Sequence, residues 1–307
     1  MDLDKERKWR EEREKVLEEW SEIELRFREG TPVRINMSRE SLDGGDVISF
    51  QPTVISEPTS WTEPKVPEDP LVARLLSADY DHEKSLVKSS LPLQVSSMNS
   101  FMRRCICRPT EKLNSEQLAD ERILLIAMTK KPYSSATPVH WPMLLSFYKL
   151  TASHALDDSS LADECPTIGS HWQIVGFQGT NPMTDFRGVG VFGLLQLYCF
   201  VQNVHEDRLK EMVRLSRAEP HDFPLAVVGL NISALLLDRM LSEELNSLAN
   251  VNGSYLSVIN KIFLCAMSRF VSIWKERNCT ITDTQTVLNE INALLRSDPR
   301  RLMKTVV

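Results

Sequence analysis

The sequence from about residue 105 to residue 298 is a succession of amphipathic patterns in which apolar residues recur every three or four positions. No stretch alternates convincingly between apolar and polar residues, which is the pattern of a half-buried strand. Many segments are apolar on more than one face, as helices are when they share a core. The sequence therefore predicts an all-α fold, a single multi-helix bundle of about 190 residues. The predicted helices are 115–130, 141–156, 188–201, 207–218, 224–248, 254–277 and 282–296.

Residues 1–29 differ in character, because 19 of the side chains between positions 2 and 29 are charged. This stretch lacks glycine and proline, and its few apolar residues recur in steps of four and three, which predicts a charged helix with a narrow apolar seam. The seam residues are Trp9, Val16, Trp20, Ile23 and Phe27. Such a helix either docks on the main domain or pairs with another helix as a short coiled coil, and the sequence leaves both open.

Residues 30–104 contain repeated prolines up to Pro92, mixed with serine, threonine and acidic residues. Proline lacks a backbone N–H and blocks helices, so we expect a largely disordered linker. A short amphipathic piece, 71–80, is a candidate helix inside it. The sequence thus divides into a charged helix (1–29), a linker (30–104), a helical domain (105–298) and a tail (299–307).

Charge and apolar content exclude several classes of function. The formal net charge is −6, which argues against a nucleic-acid-binding protein, because duplex binders need a basic face. The longest apolar stretches, 123–128 and 225–237, are too short or too interrupted to cross a bilayer, so we expect no transmembrane segment. The first residues lack the apolar core of a secretion signal, and the six cysteines are expected to be reduced thiols. The expected location is the cytoplasm.

The residues that ligate metals or act as nucleophiles show no useful spacing. Cys105 and Cys107 are spaced C-x-C, without a second pair or a nearby histidine, so no metal site is expected. The six histidines have no spacing of a nucleophilic or metal centre, which disfavours an independent hydrolase.

Glycines are concentrated in one window, since six of the eleven lie between Gly169 and Gly193. Such crowding marks backbone that turns tightly or approaches a neighbour closely. The string 188–193 matches the G-x-G-x-x-G of dinucleotide-binding folds, but no buried strand precedes it and no β–α alternation follows. Gly190 and Gly193 are instead expected to let a neighbouring helix pack closely. No triphosphate-binding loop motif is present either, so no cofactor of the chain's own is expected.

Arg187 has an unusual position in this window. Thr184 or Asp185 is a good N-cap for the predicted helix 188–201, which places Arg187 in or next to its first turn. A cation there opposes the helix dipole, at a cost of about 0.3 to 1 kcal/mol. Two explanations follow from this placement: a local salt bridge to Asp185, or a guanidinium that awaits an anion such as a phosphoryl group.

A long ungapped pattern runs through the same window. Its residues are Trp172, Gly176, Phe177, Gln178, Pro182, Thr184, Asp185, Phe186, Arg187, Gly188, Gly190, Leu194 and Leu197. This pattern resembles the signature of the ELMO domain. Residues 223–233 resemble a second block of that family, and Trp274 with Ile281 fits a third more loosely. Two positions depart from the family pattern: Asn181 stands where many members have Asp, and the aromatics around Tyr198 are spaced differently.

The resemblance implies a function. Members of the ELMO family that keep the arginine are GTPase-activating proteins for small GTPases of the Arf and Arl type, in membrane trafficking. Members without it are scaffolds that bind Dock-type exchange factors. Since Arg187 is present, the resemblance implies a GTPase activator that is not an autonomous enzyme. Its alternative is a non-catalytic helical scaffold.

Each motif residue has an expected role in that activity. Arg187 would be a finger inserted in trans into a GTPase that itself holds GTP and magnesium. Asp185 would orient the arginine, Thr184 would cap the helix, and Gly188 and Gly190 would permit close approach. Trp172, Phe177 and Phe186 are expected to pack and hold the loop, rather than to contact a partner. Gln178 is either a second finger that positions water or an amide that bonds to backbone. Partners would recruit the chain peripherally to membranes, and the helix 1–29 would be a site for another protein.

Overall fold

The computed structural model describes residues 69–96, 110–155 and 165–304. Within these ranges the chain is helical and has no strand, which confirms the predicted all-α fold. The α-helices are α1 Pro70–Leu76, α2 Asp81–Ser96, α3 Glu116–Met128, α4 His140–Ala155, α5 His171–Ile174, α6 Gly190–Asn203, α7 Glu206–Ser216, α8 Leu225–Leu241, α9 Asn246–Asn252, α10 Tyr255–Arg277, α11 Thr284–Ser297 and α12 Pro299–Lys304. Short 3-10 helices precede α6 and α11, at Pro182–Gly188 and Ile281–Asp283.

The core is built around α6 and α10. Every residue of α6 from Gly190 to Val201 is buried, because the helix packs against α3, α4, α8 and α10. One polar pair crosses this core: Gln196 Nε2 donates to Asn260 Oδ1 at 2.6 Å. Burying amides costs free energy unless they bond to each other, so this pair favours one register of α6 against α10.

The predicted helix 224–248 is interrupted in the structure. α8 ends at Leu241 and α9 begins at Asn246, with Glu243 in a left-handed conformation at φ 61°. The side chain of Arg122, from α3, satisfies the end of α8: its Nε donates to the carbonyl of Met240 at 2.9 Å and its guanidinium pairs with Glu243 at 3.3 Å. The break thus depends on a contact between distant parts of the sequence, which the apolar pattern did not reveal.

The expectation of a largely disordered linker over 30–104 was wrong for residues 69–96, which form two helices. Asp69 caps α1, its Oδ1 accepting from the amides of Leu71 and Val72, and its Oδ2 accepts from the hydroxyl of Tyr198 on α6 at 2.7 Å. Leu75 is fully buried in the common core. Pro70 occupies the first position of α1, where proline is compatible with a helix, so its presence did not indicate disorder. The packed part of the domain therefore includes residues 69–96, while the predictions for 1–29 and for residues 30–68 lie outside the described residues.

The end of the chain is also part of the fold. Residues 299–304, which were predicted to begin a tail, form α12, and its Leu302 is 1 % exposed against α10 and α11. Leu302 is the one buried residue of α12, and a single apolar position does not produce a recognisable helical periodicity in the sequence.

One described helix, α10, is long and apolar enough to cross a membrane by length and composition, and α8 with α9 would pass together despite a bend of 91°. In α10, however, 67 % of the apolar window is buried inside the protein. Core helices of folded domains pass the same test, and burial identifies α10 as one of them.

Replacement of a core residue in α1 tests whether residues 69–96, called here the N-terminal segment, contribute to the stability of the fold. We expect Leu75→Ala to lower the free energy of unfolding by about 2 to 5 kcal/mol, because a fully buried leucine leaves a cavity. Leu86→Ala is the matched control on α2, since Leu86 is 48 % exposed and its loss should cost about 0.5 kcal/mol or less. Urea denaturation measures both, and equal losses would contradict the packing of α1 in the core.

Candidate functional site

Arg187 lies on the 3-10 helix Pro182–Gly188, called here the arginine turn. Asn181 begins it: its side-chain oxygen accepts from the amide of Met183 at 3.1 Å, and Pro182 occupies the first helical position. The turn closes where the amide of Val189 donates to the carbonyl of Phe186 at 3.2 Å. Asn181, noted above as a departure from the family pattern, thus supplies the cap that an aspartate would supply, because both side chains offer the same acceptor.

The predicted start of the following helix was wrong. Neither Thr184 nor Asp185 caps it, since α6 begins at Gly190 without a side-chain cap. The amide of Val191 instead donates to the carbonyl of Lys131 at 2.9 Å, so a neighbouring loop satisfies the first turn. The Thr184 hydroxyl lies within hydrogen-bonding distance of the carbonyl of Asn181, at 2.9 Å, and of Asp185 Oδ1, at 3.1 Å. Arg187 therefore lies just before α6 and not in its first turn.

Asp185 is a buried brace inside the turn, with 3 % of its surface exposed. Its Oδ2 accepts from the amide of Gln178 at 2.9 Å and its Oδ1 accepts from Thr184. Burial raises the pKa of this carboxyl, and the two hydrogen bonds and the positive charge of Arg187 offset part of that rise. Asp185 therefore connects the glycine-rich loop after α5 to the arginine turn.

The side chain of Arg187 is exposed. Among the residues that the structure describes, none forms a hydrogen bond or an ion pair with its guanidinium. The salt bridge to Asp185 that the sequence allowed is not formed, and the carboxylate instead accepts from the amide of Gln178 and lies within hydrogen-bonding distance of the Thr184 hydroxyl. Arg187 therefore remains a solvent-exposed cation that interacts with Asp185 only through its charge.

Aromatic rings support the turn from the inside. Phe186 is 1 % exposed and stacks on Tyr133, with ring centroids 5.1 Å apart, and it also contacts Phe177 at 5.9 Å. Phe177 packs edge-on against Trp172 at 5.7 Å, and Trp172 in turn contacts His171. The burial of all three motif rings agrees with their expected packing role. Rings in edge-on and stacked contact restrict the backbone that carries Arg187.

The glycines of the motif have different roles. Gly176 has φ +88°, and an added Cβ would lie against the backbone of Leu225 and Ala226, so no other residue fits there. At Gly190, with φ +52°, a Cβ would meet the carbonyls of the loop after α3, and at Gly193 it would meet Val189 and Leu230 side chains. These positions support the expected close packing. A Cβ at Gly188 would meet nothing within 4 Å, so the fold does not require glycine at that position.

Gln178 is held through its backbone. Its amide donates to Asp185 and its carbonyl accepts from Gln173 Nε2 at 3.3 Å. This geometry places Gln178 beside the arginine turn as one end of the Asp185 brace.

The loop between α3 and α4 also belongs to the site, and sequence reasoning missed it. Tyr133 stacks on both Phe186 and His140, and the amide of Ser134 donates to His140 Nδ1 at 3.2 Å. Lys131 anchors the loop to the N-terminal segment, through an ion pair with the nearly buried Glu83 at 3.1 Å. Tyr133 and Phe186 are 53 positions apart in sequence, so no local pattern could have linked them.

The described residues contain no cluster of three or more histidine, cysteine, aspartate or glutamate side chains that could hold a metal ion. The four cysteines among them, Cys165, Cys199, Cys265 and Cys279, are free thiols. Arg187 gives this site an exposed cation on a turn whose backbone is fixed.

A helical domain with this motif at the start of its central helix defines a protein class, and sequence comparison identifies it. The model of the ELMO/CED-12 family matches residues 123–288, which is more than half of the chain, and the chain belongs to this family. The resemblance found in the sequence is thereby confirmed.

Individual relatives agree with this assignment. Human ELMO domain-containing protein 3 is 31 % identical over 192 residues, covering 62 % of this chain and 49 % of the relative. Mouse ELMO domain-containing protein 2 is 33 % identical over 116 residues, covering 38 % of this chain and 37 % of the relative. The ankyrin repeat and ELMO domain-containing protein D of Dictyostelium discoideum is 27 % identical over 180 residues, covering 55 % of this chain and 13 % of the relative. The chain spans about half the length of the human relative and a smaller share of the other two. No solved structure matches it significantly.

The buried carboxylate gives a prediction for pH dependence. A carboxyl whose pKa is raised in the folded state stabilises the fold most when protonated, and this contribution is lost as pH rises through the folded pKa. We expect the stability of the unsubstituted chain relative to Asp185→Asn to fall as pH increases from below about 4, the ordinary aspartate range. Urea denaturation in pH steps measures the difference.

Two further variants make the test specific. Asp185→Ala should cost about 1 to 3 kcal/mol at neutral pH, because it leaves the Gln178 amide without its acceptor. Asp298→Asn is the control, since Asp298 is exposed at the start of α12 and accepts only from a local amide. A stability difference between the chain and Asp185→Asn that does not change with pH would contradict a raised pKa.

Proposed function

We propose that this chain is a GTPase-activating protein for a small GTPase of the Arf or Arl type, with Arg187 as a finger inserted in trans. The observation that carries the proposal is an exposed guanidinium without a described partner, on a turn fixed by a buried carboxylate. Family membership adds the class of partner, since the arginine-bearing ELMO signature resembles that of activators of these GTPases.

The chemistry fits a guanidinium. Hydrolysis of GTP develops negative charge on the oxygens around the γ-phosphate, and the GTPase already provides magnesium, a loop lysine and a water-orienting glutamine. Arginine keeps its charge at any physiological pH, and its planar fork contacts two oxygens together. An arginine finger accelerates hydrolysis by about 10³ to 10⁵, equivalent to about 4 to 7 kcal/mol of transition-state stabilisation.

The brace would lower the cost of inserting the finger. A flexible loop would have to be ordered when the GTPase binds, and that entropy would be subtracted from the stabilisation of the transition state. Here Asn181, Asp185 and Phe186 fix the backbone before the arginine, and the bond from the amide of Val189 to the carbonyl of Phe186 closes the turn after it. Nucleotide and magnesium would remain with the GTPase, so this chain would act on a bound substrate without a cofactor of its own.

Substitution of the arginine tests the mechanism. We expect Arg187→Lys to reduce the stimulated rate of single-turnover GTP hydrolysis by about 10³-fold or more, because lysine keeps the charge and loses the fork. Arg214→Lys is the matched control, an exposed arginine on α7 with no described partner. The assay uses a panel of Arf and Arl proteins loaded with GTP. An equal rate for Arg187→Lys and the unsubstituted chain would overturn the finger, and no stimulation of any panel member would favour the non-catalytic scaffold.

A substitution at Gly188 distinguishes an effect on activity from an effect on the stability of the fold. Because a Cβ at this position would meet no atom, Gly188→Ala should change the free energy of unfolding by about 0.5 kcal/mol or less. It lies next to Arg187, so the added methyl should still reduce stimulated hydrolysis if the GTPase approaches closely. Gly176→Ala is the contrasting variant, expected to destabilise the fold itself because φ is +88°. A Gly188→Ala chain with full activity would contradict close approach at this position.

A further inference from the structure

Two exposed apolar side chains belong to the segment that carries Arg187. Five large hydrophobic side chains are exposed among the described residues, and two of them, Met183 at 47 % and Ile168 at 60 %, are on this segment. Scattered single apolar residues need no explanation, but Met183 shares the arginine turn with Arg187, and both apolar side chains are exposed on the same segment as an exposed cation.

Backbone geometry positions the segments that carry Met183 and Ile168. Met183 is on the arginine turn, and a 3-10 helix rises about 2 Å per residue, so its Cα lies about 8 Å along the turn from that of Arg187. Ile168 precedes Gly169, whose amide donates to the carbonyl of Thr180 at 2.8 Å. The Ile168 loop is therefore tied to the residues that lead into the turn.

The charges of the surrounding segments are one-sided. Residues 131–140 and 165–190 contain one carboxylate, Asp185, and it is buried. Their cations are Lys131, which pairs with Glu83, and Arg187, which has no described partner. The chain as a whole carries a net charge of −6, so these two segments, which have no exposed carboxylate, differ in charge from the rest of the chain. An anionic partner surface, such as a protein that presents bound nucleotide phosphates, complements it.

We propose that Met183 and Ile168 form, together with Arg187, the surface on which the GTP-bound GTPase docks. This inference rests on the proposed function, and it assigns binding of the GTPase and stabilisation of the transition state to different residues. The apolar side chains provide affinity for the GTPase before reaction and select among partners, while Arg187 contributes in the transition state. Apolar contacts around the guanidinium also exclude water, which strengthens its interaction with phosphate oxygens. Met183 and Ile168 are thus specificity residues and not catalytic ones.

Kinetics separate the two contributions. The rate of single-turnover GTP hydrolysis is measured against the concentration of this chain, which gives a half-saturating concentration and a maximal rate. Met183→Glu should raise the half-saturating concentration by about tenfold or more, because it removes apolar contact and adds a charge facing an anionic partner. The maximal rate should change by less than about threefold, since uniform binding does not alter it. Ile168→Glu should act in the same direction, and Met183→Leu should restore the half-saturating concentration.

A matched control is available in the same fold. Val251, on α9, is 81 % exposed, and the side chain of its neighbour Asn250 donates to the carbonyl of Lys112, ahead of α3. Val251→Glu should leave both kinetic parameters unchanged. Thermal unfolding of all four variants confirms that exposed substitutions have preserved the fold.

Affinity for the GTPase loaded with a non-hydrolysable GTP analogue, measured by calorimetry, distinguishes the possible failures. Unchanged affinity and half-saturating concentration for Met183→Glu, with activity still lost in Arg187→Lys, would overturn the docking surface and leave the finger intact. Weaker binding by Met183→Glu, with full activity in Arg187→Lys, would support the docking surface and overturn the finger. If no panel member is bound or stimulated by the unsubstituted chain, both proposals fall.

Discussion

The buried carboxylate of Asp185 determines the geometry of the candidate site. It accepts hydrogen bonds from the Gln178 amide and the Thr184 hydroxyl, and so joins the loop after α5 to the arginine turn. It forms no described ion pair with Arg187, two residues later, although the positive charge of Arg187 lowers its pKa in part. A carboxylate at this depth costs free energy, as its raised pKa indicates, and the hydrogen bonds offset that cost only in part. The result is a rigid support with an adjacent cation left available.

The support extends through the fold behind the turn. Phe186 stacks on Tyr133, the loop of Tyr133 is anchored by Lys131, and Lys131 pairs with Glu83 of the N-terminal segment. The carbonyl of Lys131 also accepts the first free amide of α6, the central helix of the core. The segment 69–96 thus contributes to the same structural unit as the arginine turn, although most of it lies far from Arg187 in sequence.

The proposed function uses this architecture in a simple way. A GTPase activator of this kind needs no pocket and no metal of its own, because the substrate and its magnesium are held by the partner. What it needs is a cation whose position is fixed before association and a surface that brings the partner to it. Under the proposal, the arginine turn provides both. Its buried residues Asp185 and Phe186 fix the backbone, and its exposed residues Met183 and Arg187 are available to the partner.

Sequence pattern was sufficient for the helical class and for the ELMO family, because helical periodicity and an ungapped motif are local signals. It failed where distant residues decide the structure. The start of α6 depends on the Lys131 carbonyl, the end of α8 depends on Arg122, and the order of 69–96 depends on burial of Leu75 and on Tyr198 bonding to Asp69.

The same division applies to the site. The residue types and spacing of the motif are properties of the sequence alone, and so is the presence of an arginine beside an aspartate. How the carboxylate is bonded is decided by tertiary structure, since the amide of Gln178 reaches it only after the loop and the turn have packed together. Burial of Phe186 is likewise fixed by tertiary structure, since the rings of Tyr133 and Phe177 pack against it.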